Sequence, residues 1–281
     1  MEDMLKLENV CKSYSAFSLD HVSFCLPAGC IMGFIGENGA GKSTTIKLIL
    51  DLIKKDSGTI TVMGQDSGAL SRDMKEHIGV VLDEANFSHE LNYKDIHKIM
   101  RRLYKTWDEK KFMKMMQDAG IPADRKFKDY SKGMKMKLSI AAAVCHDTRL
   151  LIMDEATSGL DPVSREAVLD FLLEFIQDEN HAVFISSHIL SDLEKVCDYI
   201  TLIHKGRLVF SEVKDELIEK YGILKCDRIQ LADIDTAAII GVRENAFGAK
   251  ALVLREYIPD GFIVDAATLD EIMLFYVKEG K

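Results

Sequence analysis

No apolar run in this chain approaches the ~18 residues that a bilayer-spanning helix needs. The first residues also lack the basic-then-apolar order of a secretion signal, so the chain is expected to stay in the cytoplasm. Cysteine is scarce and scattered. Cys11, Cys25, Cys30, Cys145, Cys197 and Cys226 form no C-x-x-C pair and no Cys/His ligand spacing. That argues against a disulfide framework and a zinc site, and leaves reduced, mostly buried thiols as the expectation. Excess positive charge is missing too: 36 Lys and Arg against 45 Asp and Glu leave a formal net charge of −9. A phosphate-backbone groove needs the opposite balance, which argues against nucleic acid as the partner of the main binding surface. Internal repeats, low-complexity tracts and flexible linkers are absent as well.

What the chain does have is apolar content, 47% of its residues, enough for a substantial core in one large domain or two unequal ones. Gly36-Glu37-Asn38-Gly39-Ala40-Gly41-Lys42-Ser43 matches the phosphate-loop pattern G-x-x-x-x-G-K-[ST] at every fixed position. An apolar run at 30–35 reads as the buried strand before it, and 43–52 has the spacing of an amphipathic helix after it. Glycines in such a turn let successive main-chain N–H groups point at phosphate oxygens, while the helix N-terminus adds partial positive charge. Lys42 is then positioned to reach the β- and γ-phosphates of a nucleotide, and Ser43 to offer its hydroxyl to Mg²⁺.

Alternation at Leu5, Leu7 and at Val22, Phe24, Leu26 predicts half-exposed strands, and 59–62 repeats it. Between 90 and 120 the pattern turns helical, with Ile96, Ile99, Met100 and Leu103 on one stripe and Phe112, Met115 and Met116 on another. Apolar strands return at 150–153 and 182–185, separated by a helix whose apolar face is Val168, Phe171, Leu172, Phe175 and Ile176. Strand alternating with helix implies a parallel sheet covered on both faces. From about Val213 the character changes. Apolar runs at 252–254 and 262–264 flank the turn Pro259-Asp260-Gly261, and Thr268-Leu269-Asp270-Glu271 has the form of a capping box. With Leu269, Ile272, Met273 and Tyr276 on one stripe, this predicts a small mixed appendage packed on the main body.

The strand at 150–153 ends in Asp154-Glu155, two carboxylates at the edge where open α/β sheets gather ligands. Asp154 is suited to hold Mg²⁺, usually through water, and Glu155 to orient and deprotonate an attacking water. Helix capping is the alternative role for such a pair. Ser186-Ser187-His188 follows the next strand and delivers an imidazole to the same edge, within reach of a γ-phosphate; a satisfied structural histidine is the alternative.

LLIMDEATSGLDP at 150–162, together with the phosphate loop and His188, resembles the ATP-binding cassette ATPases of membrane transporters over roughly residues 1–215. The resemblance implies an α/β fold with a P-loop NTPase (RecA-like) core, a mostly parallel sheet, an antiparallel β subdomain and a helical subdomain at about 86–147. Residues 216–281 are left as a small α+β extension. ATP and Mg²⁺ are the implied cofactors. Glu155, His188 and Lys42 become the catalytic group, and Ser43, Asp83 and Asp154 the metal ligands. The implied ATP contacts are Tyr14, the loop Gly36, Glu37, Asn38, Gly39, Ala40, Gly41, Lys42, Ser43 and Thr44, and the trio Ser131, Gly133 and Asp161. Tyr14 lies 28 residues before Lys42, where the family places an aromatic ring under adenine.

Tyr130-Ser131-Lys132-Gly133-Met134 stands where the family usually has LSGGQ, at the start of a helix bearing Met134, Leu138, Ala141, Ala142 and Cys145 on one side. In the family that helix end meets the γ-phosphate bound by an opposite subunit, and the loop from Ser158 to Asp161 crosses the interface. A second cassette, identical or not, is therefore an implied partner. Asp83, followed by Glu84, replaces the family's usual glutamine with a shorter, charged oxygen ligand. The YSKGM signature and short extension resemble cassettes of bacterial ABC-2 type exporters of antibiotics, lantibiotic-like or cytolytic peptides. A separate membrane permease would dock beside residues 83–92, where Phe87 and Leu91 are candidate contacts or local core, holding the cassette on the inner face of the membrane. The rival readings are a regulatory cassette that binds ATP with little or no hydrolysis, and a non-transport relative acting on nucleic acid or ribosomes. The latter lacks its usual heptads and second phosphate loop here. A guanine-nucleotide switch lacks N-K-x-D, which Asn92-Tyr93-Lys94-Asp95 only superficially resembles.

Overall fold

A computed structural model describes residues 3–82, 87–227, 230–231, 233–245, 248–259 and 261–278. β1 (Asp3–Ser13) and β2 (Ser18–Pro27) form a hairpin that buries Leu5, Leu7, Val22 and Leu26, as the two-residue period predicts. β3 (Ile31–Ile35) is buried at all five positions and leads through the phosphate loop into α1 (Lys42–Ile49). β4 (Ser57–Val62) and β5 (Gln65–Asp66) complete an antiparallel sheet of order β2-β1-β4-β5. After α2 (Arg72–Lys75) and β6 (Ile78–Val81) comes a helical layer of α3 (Tyr93–Leu103), α4 (Glu109–Asp118) and α5 (Lys132–Val144).

The alternation then resumes with β7 (Leu150–Asp154), α6 (Pro162–Phe175), β8 (Ala182–Ser186), α7 (Leu190–Val196), β9 (Tyr199–His204) and β10 (Arg207–Val213). The central sheet runs β10-β9-β3-β8-β7-β6, parallel except at its β10 edge. This order sets β3 between β8 and β9, with β7 next to β8. The phosphate loop, Asp154-Glu155 and His188 therefore all leave the sheet at its carboxyl edge.

The core has two apolar layers. Between the antiparallel and central sheets lie Phe24, Phe34 and Phe184, with ring centroids 5.2 to 5.6 Å apart. On the other face, α5, α6 and α7 bury Ile140, Val168, Leu172, Phe175 and Leu193 against Leu151, Val183 and Ile185. The helical layer keeps its own core of Ile96, Met100, Phe112, Met116, Phe127 and Leu138. Its expected stripe is only half buried. Ile99 and Leu103 are 42% and 53% exposed, because α3 packs on α4 and α5 through the Ile96–Met100 side alone.

The appendage follows as α8 (Lys214–Lys220), β11 (Tyr221–Cys226), β12 (Ile239–Asn245), β13 (Gly248–Leu254), β14 (Val264–Ala266) and α9 (Leu269–Lys278), with sheet order β12-β13-β11-β14. Of the apolar run at 262–264, only Val264 lies in a strand. Pairing with β11 begins only at Val264, and Ile263 is 77% exposed; Asp260 of the expected turn lies outside the described residues. The appendage shares the main body's core: Leu217, Tyr221, Leu252, Leu269, Ile272 and Phe275 join the cluster that holds Leu190 and Leu193. All six cysteines are free, but only Cys145 and Cys197 are buried. Burial pushes the Cys145 thiol up to about 12, which leaves it protonated and unreactive at neutral pH. The other four are half-buried, so the expectation of mostly buried thiols is corrected.

Candidate active site

Packing dictates two of the three glycines of the phosphate loop. A Cβ on Gly36 would stand 2.4 Å from the Ile203 carbonyl oxygen, and one on Gly41 would stand 2.6 Å from Leu19 and 2.9 Å from Phe17. Gly39 and Gly41 also take φ of +82° and +119°, open to glycine at little cost. The Gly206 N–H, in the β9–β10 turn, donates to the Ala40 carbonyl at 2.9 Å and braces the loop from behind. No side chain caps the start of α1, which leaves its first N–H groups available to phosphate oxygens.

The loop opens onto a cleft of about 680 Å³, lined also by Ala16, Phe17, Glu155, Ser158 and His188. That volume suits a nucleotide-sized ligand. Lys42 is only 6% exposed; its Nζ donates to the Gly36 carbonyl at 2.7 Å and lies 3.4 Å from Glu155 Oε1. The second Glu155 oxygen, Oε2, meets His188 Nδ1 at 2.5 Å. One carboxylate is thus held between an ammonium and an imidazole at the cleft wall.

Glu155 itself has φ of +50°, the left-handed region that a non-glycine residue adopts only at a cost of order 1–3 kcal/mol. What holds it there is β8. The Glu155 N–H donates to the Ser186 carbonyl and to Ser186 Oγ, both at 3.1 Å. Ser186 Oγ–H in turn donates to Asp154 Oδ1 at 2.5 Å. Two carboxylates adjacent in sequence are thereby separated in role: Asp154 is buried against a hydroxyl, while Glu155 faces the cleft with its charge balanced. Such a carboxylate can accept a proton from a water molecule within hydrogen-bond reach in the cleft.

Glu37, Asn38, Gly39, Ser43 and Thr44 all line the cleft, and Ala40 is buried behind it. Tyr14 does not line it. Its ring is 49% exposed with Lys12 Nζ 5.7 Å from the centroid, and Phe17, in the same β1–β2 turn, is the aromatic that lines the cleft. Ser131, Gly133 and Asp161 are also absent from the cleft of their own chain and sit at two adjoining helix starts instead. Ser131 Oγ caps α5 by accepting from the Met134 N–H at 3.2 Å, and Asp161 caps α6 by accepting from the Ser164 N–H at 3.0 Å. The two helix starts touch: a Cβ on Gly133 would lie 2.5 Å from Ser164 Oγ. Asp83, with Glu84, lies outside the described residues. Phe87 packs edge-on against Phe127 at 5.8 Å, and Leu91 joins the same helical core.

Two residues of the site, Phe17 and Ser186, escape a reading of the sequence, since only tertiary packing gives either a role. A second aromatic shortly after Tyr14 is the one hint of Phe17.

The model of the family described as ABC transporter matches residues 19–158. The chain is 34% identical over 226 residues to the uncharacterized ABC transporter ATP-binding protein YhcH of Bacillus subtilis (strain 168), covering 78% of this chain and 73% of that one. It is 32% identical over 243 residues to the bacitracin transport ATP-binding protein BcrA of Bacillus licheniformis, covering 85% and 79%. A solved structure described as the ATP binding subunit of an ABC transporter superposes with a TM-score of 0.69 at 26% identity, covering 76% of this chain and 91% of that one.

Proposed function

Because this chain belongs to the ABC transporter family of ATP-binding proteins, we propose that it works as one of two cassettes whose ATP hydrolysis drives a separate membrane permease. The observation that carries this reading is Glu155, poised between Lys42 and His188 on the wall of the phosphate-loop cleft.

In this reading the loop amides and Lys42 hold the β- and γ-phosphates, and Glu155 accepts the proton of the attacking water. His188 positions Glu155 and reaches the γ-phosphate side of the cleft. The adenine meets the aromatic turn, Phe17 first and Tyr14 at its outer edge. Ser43 and Asp154, with Asp83 as the further candidate, would hold Mg²⁺, which supplies neutralisation of phosphate charge. The donor set fits that ion, since hydroxyl and carboxylate oxygens are its preferred ligands.

Ser131, Gly133 and Asp161 stand outside their own cleft at two adjoining helix starts. We assign them to the ATP of a second cassette, identical or not, facing head to tail. Cargo passage belongs to the permease; among the described residues no helix is long and apolar enough to cross a membrane. The likeness to BcrA and the YSKGM signature point to antibiotics or peptides as cargo and to export as the direction. The cassette then sits at the inner face of the membrane through its permease.

The paired state is tested by light scattering on the Glu155→Gln variant. With MgATP the mass is expected to double from that of the 31.6 kDa chain, and with MgADP to return to it. A mass that stays at one chain while MgATP is bound contradicts the pairing of identical cassettes.

A further inference from the structure

The seam between cassette and appendage is closed at one end and open at the other. At the closed end α9 sends Leu269 and Phe275 into the shared core, and the Leu269 N–H donates to Glu194 Oε1 at 2.7 Å. Where the closed part meets the open one, Tyr276, which lines the open cleft, shares a hydroxyl hydrogen bond of 2.6 Å with Tyr221. At the open end a cleft of about 920 Å³ runs between the β9–β10 hairpin, the start of β12 and the last turn of α9. It shares no lining residue with the nucleotide cleft.

Its wall is two-sided in chemistry. Val209, Ile239, Ile240 and Val277 form an apolar surface, while the exposed Lys205, Arg207 and Lys278 add cationic side chains to the lining. Asp20, the carboxylate of the lining, is taken by Arg207 at 2.8 Å. Lys205 and Lys278 are left without an ion-pair partner among the described residues. His204 links the hairpin to the other cleft: its buried Nδ1 lies 3.6 Å from Oε2 of Glu37, which lines the nucleotide cleft.

The hairpin that forms this wall also braces the phosphate loop. Its Gly206 N–H donates to Ala40, Gly206 accepts from the Asp20 N–H at 2.8 Å, and Ile203 abuts Gly36. Whatever steadies the hairpin from the seam therefore steadies the nucleotide loop from behind.

We propose that the seam cleft is a second ligand site, for a single-chain amphiphile with a carboxylate or phosphate head, and that filling it tightens ATP binding through the β9–β10 hairpin. The head is held by Lys205 and Lys278, and the alkyl chain lies along Ile239, Ile240 and Val209. Charge-assisted contacts to the head provide selectivity, and the apolar wall provides most of the affinity. Because linkage is reciprocal, ATP must tighten amphiphile binding by the same factor.

The test is calorimetry on the full chain with sodium decanoate below its micellar concentration, with decyltrimethylammonium as the cationic control. Decanoate is expected to bind one per chain. In Lys205→Glu/Lys278→Glu it binds roughly tenfold more weakly or worse, and Lys205→Arg/Lys278→Arg restores it. MgATP is expected to bind about fivefold more tightly with decanoate present, a shift lost in the charge-reversed variant. Phosphatidylglycerol vesicles form a separate arm, since a lipid headgroup offers the same chemistry. The proposal is overturned if decanoate does not bind, if the cationic amphiphile binds equally well, or if charge reversal changes nothing. It is also overturned if only vesicles bind, or if ATP affinity ignores decanoate. Amphiphile binding is read without nucleotide, so its failure is distinct from failure of the ATPase reading.

Discussion

Glu155→Gln is expected to stop ATP turnover and leave ATP binding intact. The amide has the carboxylate's shape, and its oxygen still accepts from Lys42, so the cleft wall and the bracing by Ser186 persist. What disappears is basicity. A carboxylate accepts a proton from water as the bond to phosphorus forms, whereas an amide does not, and positioned general bases contribute typically 10²–10⁴-fold in rate. Phosphate release is therefore expected to fall by about 10³-fold, with ATP affinity within a few-fold of the parent chain. Release at the parent rate would remove Glu155 from the role of base and leave its contact with His188 at 2.5 Å as a structural pair.

Lys42→Met is expected to act one step earlier, on binding. Methionine nearly matches the aliphatic stem in volume, so α1 and the loop should fold as before. The variant lacks the ammonium, which here is satisfied by the Gly36 carbonyl and by Glu155. Hydrogen bonds to charged groups are worth about 1.5–3 kcal/mol each, and losing the contacts to phosphate proposed for the lysine corresponds to roughly 100-fold in affinity. The same variant leaves Glu155 with His188 as its remaining partner, so carboxylate repulsion of the triphosphate adds to the loss. Calorimetry with MgATP checks this directly, and an affinity within about threefold of the parent would show that the main-chain cradle alone holds the phosphates.

Much of this site was legible in the sequence because its parts are dictated locally. A strand-to-helix turn with glycines at fixed spacing has one backbone solution, so the strand, the loop and the helix at Lys42 could be located together. The five-residue runs at β7 and β8 are buried at every position, as a covered parallel sheet demands. The meeting of Glu155 and His188 was only partly legible: spacing puts both at one sheet edge, but the 2.5 Å contact depends on the left-handed turn at Glu155.

What stayed hidden depends on tertiary cover. Periodicity tells which residues share a helix face and is silent on whether anything covers it, which is why Ile99 and Leu103 were expected in a core they do not join. The resemblance makes Gly133 an ATP contact, yet its missing side chain is also required by Ser164 on the neighbouring helix α6. β11 and β12 carried no distinct signal, and the seam they help to build with the β9–β10 hairpin is visible only in three dimensions. Phe17 lines the cleft where Tyr14 was expected, because the turn between β1 and β2 points the second aromatic inward against Gly41.

Central to all of this chemistry is a phosphate-loop cleft whose wall carries a balanced carboxylate, the proposed base. Steady-state phosphate release by the purified parent chain in MgATP tests that most directly. Linear, saturable release that requires both ATP and Mg²⁺, and that vanishes in Glu155→Gln, is the result expected. MgATP that binds tightly while phosphate stays at the level of the Glu155→Gln variant would contradict it.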